Sequence, residues 1–520
     1  MASIINRTYE LSIIDEAFNA LLDQTSLLRT PIIDVHGIEG IGKTTILQHV
    51  AQKCKEYHLP YLWVDASGGI PAIAHEIIEQ IKQHHPSLIT HLNIENPLDQ
   101  VVSAIQLLLE QNAVVLVLDA IDTENEELLR WIELMLRDLL ENNRLFVVIA
   151  SRKSLQFEHE RSVARKLTPL QLNPFDRASS EQYLDTIDIE PETHHYIFKW
   201  TRGYPLAMDT MARAMSAGQF DLEKSQDRKR LIKIITERVI DRGILAKIDP
   251  SEYQWYRAIL SLLSVPRRFN LVIMQMLIRQ YASQFAPQNS LAYIGLPKRI
   301  NRTTDILNWN MPRAGFSIDA PIRNIFLLQL QIEEPEAYFA IHSTLARINQ
   351  QLAEAVTGTD RVRYLQEYLY HSAHTSTGET LQQLLEQTVQ QIINESPEAF
   401  SQFSEEYSQD EELKEALGAQ AATVTALIHA HQLTTARLLV KESTGRDRVR
   451  NLHEYLNLLL QDPVATTIPA NFQQAIREIK LTEQADIRRQ LYSELAQDSR
   501  LKEILGEHIE SISSLVRDDS

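Results

Sequence analysis

The sequence predicts an α/β core built on a parallel sheet, followed by regions that are mostly helical. Three observations carry this. Residues 1 to about 165 alternate short apolar runs with stretches of helical spacing. A glycine-rich segment joins the first apolar run to the first helical stretch. The strand signal stops near Asn173, and from about Pro335 the chain reads as helix to its end.

The apolar run from Pro31 to Val35 reads as a first buried strand, and Ile46, Leu47, Val50, Ala51 and Cys54 give the helix after it. Tyr61 to Val64, ending at Asp65, is a second strand, followed by helical spacing in Ile73 to Ile81 and Val101 to Leu109. Val114 to Leu118 is a third, with Leu128 to Leu140 helical behind it, and Phe146 to Ala150 is a fourth. Strands that are apolar throughout and alternate with helices imply a parallel sheet covered on both faces. Residues 176 to 218 read as short helices around Gly203-Tyr-Pro205, and the polar stretch Asp221 to Arg230 reads as a hinge or linker. Between Tyr253 and Tyr281 two apolar helices are parted by Val265-Pro-Arg-Arg268, and Lys298 to Asp319 is rich in turns and extended pieces. That succession suggests a winged-helix unit.

The helical C-terminal part contains an internal repeat. Thr357-Gly-Thr-Asp-Arg-Val-Arg-Tyr-Leu-Gln-Glu-Tyr-Leu369 returns as Thr444-Gly-Arg-Asp-Arg-Val-Arg-Asn-Leu-His-Glu-Tyr-Leu456, ten of thirteen positions identical at an offset of 87 residues. Asp360 and Asp447 are expected as N-caps. Val362, Leu365 and Leu369 form an apolar stripe matched by Val449, Leu452 and Leu456. A period of this size corresponds to about two helical hairpins of a stacked array. The expected divisions are 1–165, 166–225, 226–345 and 346–520, in keeping with a length prior of roughly three or four domains for 520 residues.

Bulk properties narrow the classes. Apolar content of 44% and charged content of 23% are ordinary for a globular protein. A net charge of −18 argues against a general nucleic-acid or membrane-surface binder, while leaving room for a local basic patch. The single cysteine, Cys54, cannot form an intrachain disulfide and suits a reducing, cytoplasmic setting. Residues 1–11 show no signal-peptide core, and no apolar run approaches the roughly 20 residues that span a bilayer. His371-x-x-His374 and His194-His195 lack the companions of a zinc site and read as ordinary histidines.

The glycine-rich segment is the most specific motif. Gly37-Ile-Glu-Gly-Ile-Gly-Lys-Thr-Thr45 matches G-x-x-x-x-G-K-[ST] at Gly37, Gly42, Lys43 and Thr44, with Gly40 as a further glycine and Thr45 behind it. Such a loop between a strand and a helix turns backbone N–H groups into one concavity at a helix N-terminus, which suits phosphate. Lys43 is placed for the terminal phosphates, and the Thr44 hydroxyl for the shell of a Mg²⁺ ion. The fold class is therefore an α/β P-loop NTPase core.

Other pieces extend the site. The third strand ends in Asp119, a carboxylate positioned to hold Mg²⁺ through its water shell. Ala120 follows, where a second acid would polarise the attacking water. Asp122 either takes that role or caps the next helix; both readings stand. Slow hydrolysis is expected on this ground. Ser151-Arg152 closes the fourth strand, so Arg152 is a candidate reporter of the γ-phosphate, with a plain surface arginine as the alternative. No guanine-reading Asn-Lys-x-Asp follows, which favours ATP and ADP over guanine nucleotides.

Asn6-Arg7-x-x-Glu10-Leu11, the Gly37–Thr45 loop, Val114–Asp119, Ser151-Arg152 and Gly203-Tyr-Pro-Leu-Ala207 occur in an order that resembles the STAND ATPases, the switch ATPases that include NB-ARC and NLR-like proteins. The resemblance covers residues 5 to 345. It implies a sheet ordered 5-1-4-3-2, a helical lid and a winged helix, with Pro205 packing on adenine and Arg7 near the base and ribose. The segment Arg361 to His371 is similar to helical repeats found after bacterial STAND cores. The chain departs from the family at Ala120. It also has Ile318-Asp319-Ala320 where the family often has Met-His-Asp, whose histidine touches the ADP phosphate. No effector segment is expected ahead of the ATPase, because the first motif begins at residue 6.

Three functional readings follow. The first is an ATP/ADP-controlled signalling switch with slow turnover, in bacterial defence or stress, that acts through a separate effector or sensor protein and assembles under nucleotide control. The second is a DNA-binding transcription regulator using Arg267, Arg268, Lys298, Arg299, Arg302 and Arg313; the acidic balance of the chain weighs against DNA. The third is a protein-binding scaffold whose nucleotide is structural.

Overall fold

The computed structural model describes residues 7–23, 27–84, 96–141, 143–218, 220–310 and 315–459. These fall into two compact units divided between Ile341 and His342. The first holds the sheet. Helix α1 (Thr8–Leu22) leads into β1 (Ile32–His36), the glycine loop and α2 (Lys43–Glu56). Then follow β2 (Tyr61–Asp65), α3 (Gly69–His84), α4 (Pro97–Gln111), β3 (Val114–Ile121), α5 (Glu126–Leu139), β4 (Leu145–Ser151), a single turn α6 (Arg161–Ala164) and β5 (Leu167–Gln171). All five strands are parallel, in the order 2-3-4-1-5. This is the order implied by the family resemblance.

Every residue of β4 is buried, and so are Val114 to Leu118 of β3. Ile73, Ile77 and Ile81 of α3, Val101, Ile105 and Leu108 of α4, and Leu128, Ile132, Met135 and Leu136 of α5 pack on one side of these strands as a single core. Burying side chains of this size contributes about 1.5–3 kcal/mol each. The four apolar strands are where the pattern places them. β5 is not legible in the same way, because it is an edge strand with alternating exposure and carries Pro169, which cannot donate to a ladder. Cys54 is buried on α2, and burial pushes its thiol up to about 12, so it packs and does not react.

After the sheet come α7 (Arg177–Thr186), α8 (Pro191–Thr201) and α9 (Pro205–Ala217), then α10 (Ser225–Thr236), which passes directly into a π-helical segment, Glu237–Ile244. The stretch expected as a hinge is therefore helical from Ser225 onward, with Leu231, Ile232 and Ile235 buried. Next are α11 (Tyr253–Leu263), α12 (Leu271–Tyr281), α13 (Leu296–Thr304), the antiparallel pair β6 (Leu307–Asn310) and β7 (Gly315–Ile318), and α14 (Ala320–Glu333). Phe269 exchanges two backbone hydrogen bonds with Phe316, at 2.9 and 2.8 Å, which ties the α11–α12 connection to β7. Lys298 to Thr304, expected to be irregular, forms most of α13. Arg313 lies outside the described residues, as does Asn6.

Helix α15 (Pro335–Glu354) runs into the second unit, whose elements among the described residues are all helices: α16 (Gly358–Ala373), α17 (Gly378–Ile393), α18 (Pro397–Gln409), α19 (Glu411–Leu417), α20 (Ala421–Glu442) and α21 (Gly445–Leu459). The two repeat copies head α16 and α21. Val362, Leu365 and Leu369 are buried with Leu385, Val389, Phe403 and Leu413, and Leu452 is buried in the second copy. The side chains of Val449 and Leu456, and all of residues 460–520, lie outside the described residues. Asp360 and Asp447 are not caps. The α16 cap position is Thr357, and both aspartates sit within the first turn, where their charge suits the helix dipole. His371 Nδ1 lies 3.0 Å from His342 Nδ1, both rings buried. Among the described residues no cluster suited to a metal ion forms, and no helix is long and apolar enough to cross a membrane.

Candidate nucleotide site

The glycine loop wraps the N-terminus of α2. Gly42 caps that helix in the left-handed region (φ 108°), which leaves Lys43, Thr44 and Thr45 in the first turn. The Thr44 and Thr45 side chains are exposed. Lys43 Nζ donates to the carbonyls of Gly37 (2.6 Å) and Ile38 (3.0 Å), within the loop itself. Burial, with Arg152 nearby, pulls its ammonium down to about 8.

β3 continues past Leu118 through an irregularity in its pairing with β4, and Ala120 is held at φ +58°. Asp119 stands at this irregularity, where the pairing with β4 slips. Burial and the neighbouring Asp65, its register partner on β2, raise the Asp119 carboxyl above its ordinary value, although the Ala120 N–H (2.8 Å) supports the charged form. A partly desolvated carboxylate beside a second one is suited to a cation.

The turn after β4 is set by a residue that the apolar pattern hid. Asp34, fully buried in the middle of β1, hydrogen-bonds Ser151 Oγ (2.7 Å) and accepts from the Leu155 N–H (2.8 Å). The legible signal was a carboxylate within an otherwise apolar strand. This anchorage presents Arg152, whose guanidinium pairs with Glu39 of the glycine loop at 2.6 Å. The next residue, Lys153, grips the opposite wall: it pairs with Asp305 at the end of α13 and with Glu124 (3.6 Å).

One cavity of about 640 Å³ gathers these groups. Gly40, Gly42, Lys43, Thr44, Thr45, Asp119, Asp122 and Arg152 line it together with Glu39, Ser67 and Glu124, and Lys247, Asn301, Arg302, Thr303 and Asp305 form the facing wall. Asp122 does not cap α5. That cap is Asn125, which accepts from the Leu128 N–H at 3.0 Å, while Asp122 accepts from the Glu124 N–H (3.0 Å).

Three expected site residues do not line the cavity. Gly37 lies behind it, its carbonyl accepting from Lys43. Arg7 is 4% exposed and spends its guanidinium on the carbonyls of Ile41 (3.1 Å) and Asn173 (2.9 Å), stacked over the Phe175 ring. In this arrangement it staples the N-terminal helix to the loop, with its other amino group paired to Glu10 at 3.4 Å. Pro205 opens α9 beside Tyr204, whose hydroxyl donates to the Glu39 carbonyl. Leu206 reaches so close to Gly40 that an added Cβ there would lie 2.6 Å from it. The lid segment thus touches the loop through Tyr204 and Leu206, and Pro205 stands between them. Asp319 accepts from Asn308 Nδ2 (2.5 Å), and burial raises its carboxyl to about 6. Of the basic residues expected as a cluster, Arg299 is engaged with Glu252 and Trp255, and Arg302 faces the cavity.

Residues 12–167 match the family model of the NB-ARC domain. Among solved structures, the chain is similar to Cdc6p from Pyrobaculum aerophilum, with 14% identity over 65% of this chain and 96% of that one and a TM-score of 0.34. It is also similar to the Orc1 protein of Aeropyrum pernix, solved in complex with DNA, with 16% identity over 64% and 94% and a TM-score of 0.36. AMPPCP-bound DnaA from Aquifex aeolicus matches at 14% identity over 57% and 89%, with a TM-score of 0.31. No curated protein matches the sequence.

Proposed function

With residues 12–167 forming an NB-ARC domain, a P-loop ATPase module of the STAND type, we propose that the chain is an ATP/ADP-dependent molecular switch. One observation carries this reading. The glycine loop, Asp119, Arg152 and the α13 wall converge on a single cavity within one compact unit. The nucleotide phosphates would replace the Gly37 and Ile38 carbonyls as partners of Lys43, and the loop amides would cradle them. Thr44 and Asp119 fit a Mg²⁺ ion that keeps several waters, because one supplies an exposed hydroxyl and the other an under-compensated carboxylate. Such an ion, when bound, supplies charge neutralisation between the phosphates. Ala120 offers no carboxylate to polarise water, and Asp122 is held in a turn with Glu124, so turnover is slow.

The switching device is the Arg152-Lys153 pair. Arg152 reads the loop side of the cavity and Lys153 holds Asp305 on the far side. A triphosphate that draws Arg152 from Glu39 shifts the same short turn that secures α13. A local charge exchange then biases a packed contact between two halves of the unit. Adenine nucleotide is the proposed ligand, a separate effector or sensor protein bound through the helices after about residue 345 the proposed output, and bacterial defence or stress signalling the proposed setting.

The test is the nucleotide released from purified protein, identified by chromatography. ATP or ADP is expected, with GTP bound weakly, and Lys43→Ala and Thr44→Ala should remove it. Equal retention by both variants would show that the assigned site is wrong. Pull-downs with the full chain and with residues 346–520 deleted test the output; identical partners would place that surface on the first unit.

A further inference from the structure

The facing wall of the cavity carries charge that the phosphate loop does not explain. Among the described residues four cationic side chains line the cavity: Lys43, Arg152, Lys247 and Arg302. Two are already engaged. Lys43 donates to two loop carbonyls, and Arg152 is paired with Glu39. Lys153, just outside the lining, holds Asp305 and Glu124. Lys247 and Arg302 have no hydrogen bond and no ion pair among the described residues. The charge of Lys247 still reaches Asp65 at the tip of β2, beside Asp119, and lowers that carboxyl further once the Ser67 hydrogen bonds have acted.

The positions of both are fixed from behind. In α13, Ile300 and Thr304 are buried, so Arg302, two residues from each, stands on the opposite side of the helix. The helix is secured by Arg299, which pairs with Glu252 (2.8 Å) and lies 4.0 Å over the Trp255 ring. Tyr256 Oη lies 3.2 Å from the Arg299 carbonyl and 3.1 Å from Thr303 Oγ1, and Asn301 bonds both main-chain groups of Leu307. Lys247 is set by its neighbours Leu245 and Ile248, both buried, at the exit of the π-helical segment.

Resting on the nucleotide reading above, we propose that Arg302 and Lys247 bind the terminal phosphate of a nucleoside triphosphate and so set the preference for triphosphate over diphosphate. The loop holds the inner phosphates, while the last one projects across the cavity toward the α13 wall. A diphosphate leaves both cations facing water. A triphosphate supplies the counter-charge they lack and links the wall to the loop through charge-assisted hydrogen bonds. Arg302 belongs to the helix whose C-cap residue, Asp305, Lys153 holds, so the same phosphate that competes for Arg152 also holds α13 in place.

The experiment is titration of the full-length protein with ATP and with ADP, both with Mg²⁺, by calorimetry. The variants are Arg302→Ala, Lys247→Ala, the double variant and Arg302→Lys, with Lys43→Ala as reference and circular dichroism melting as the check on folding. The double variant is expected to weaken ATP at least tenfold and ADP by less than threefold, with Arg302→Lys retaining most of the discrimination. Equal weakening of ATP and ADP, or no change in either while Lys43→Ala abolishes both, overturns the assignment and leaves the nucleotide site standing. Undiminished binding by Lys43→Ala overturns the site and the assignment together.

Discussion

The ion pair between Glu39 and Arg152 makes the first prediction. Glu39 places a carboxylate inside a loop built for anions, 2.6 Å from the arginine that faces the cavity. Both side chains are partly exposed, 40% and 28% respectively. Glu39→Gln removes the charge and keeps the side-chain length. The Tyr204 hydroxyl bonds the main-chain carbonyl at this position, so the lid contact persists. Two like charges about 5 Å apart repel by roughly 1 kcal/mol in bulk water and 3 kcal/mol at an effective dielectric of 20. Partial exposure places the effect near the lower value, about 1 kcal/mol. Glu39→Gln should therefore tighten ATP about fivefold at physiological salt, more at low ionic strength, and tighten ADP less. Fluorescence titration with labelled nucleotides at two salt concentrations measures it. Unchanged or weakened ATP binding would show that this carboxylate does not compete with phosphate.

Lys43 loses its proton near pH 8 in the free protein and must be charged to hold phosphate, so binding above that pH takes up a proton. ATP affinity should be flat below pH 8 and fall above it by up to about tenfold per unit; constant affinity to pH 9.5 would refute the assignment of Lys43. Asp319, its carboxyl raised to about 6 by burial, binds protons more tightly folded than unfolded. Its destabilisation is absent below about pH 4 and complete above pH 6. The shift is worth at most about 3 kcal/mol, and partial exposure reduces that to about 1–2 kcal/mol. Asp319→Asn should raise the melting temperature at pH 7.5 by several degrees and give a smaller gain at pH 5; a lower melting temperature at pH 7.5 would contradict this. Gly203→Ala forces a left-handed residue (φ +71°) and sets a Cβ 1.9 Å from the Phe175 carbonyl oxygen. It should cost more than about 3 kcal/mol, read by urea unfolding, and a loss under 1 kcal/mol would show that the lid backbone yields freely.

The sequence alone determined the phosphate loop, four of the five strands of the parallel sheet and the helices between them, because each rests on local chemistry. Glycines at fixed spacing, apolar runs and helical periodicity are readable wherever they occur. It also placed Thr44, Asp119 and Arg152 at strand or helix tips, which in a parallel sheet face one edge. Tertiary structure decided what those tips meet. That Arg152 pairs with Glu39, that Lys153 reaches Asp305 and that Arg302 closes the cavity all depend on contacts across more than 100 residues, which no local pattern encodes. The same holds for Arg7. Its motif suggested a ligand contact, and packing consumed its donors on the Ile41 and Asn173 carbonyls. β5 and Asp34 were hidden for the opposite reason. An edge strand with a proline lacks the apolar run, and a lone carboxylate within one marks its own position without naming its partners. Its role exists only once Ser151 and Leu155 fold onto it.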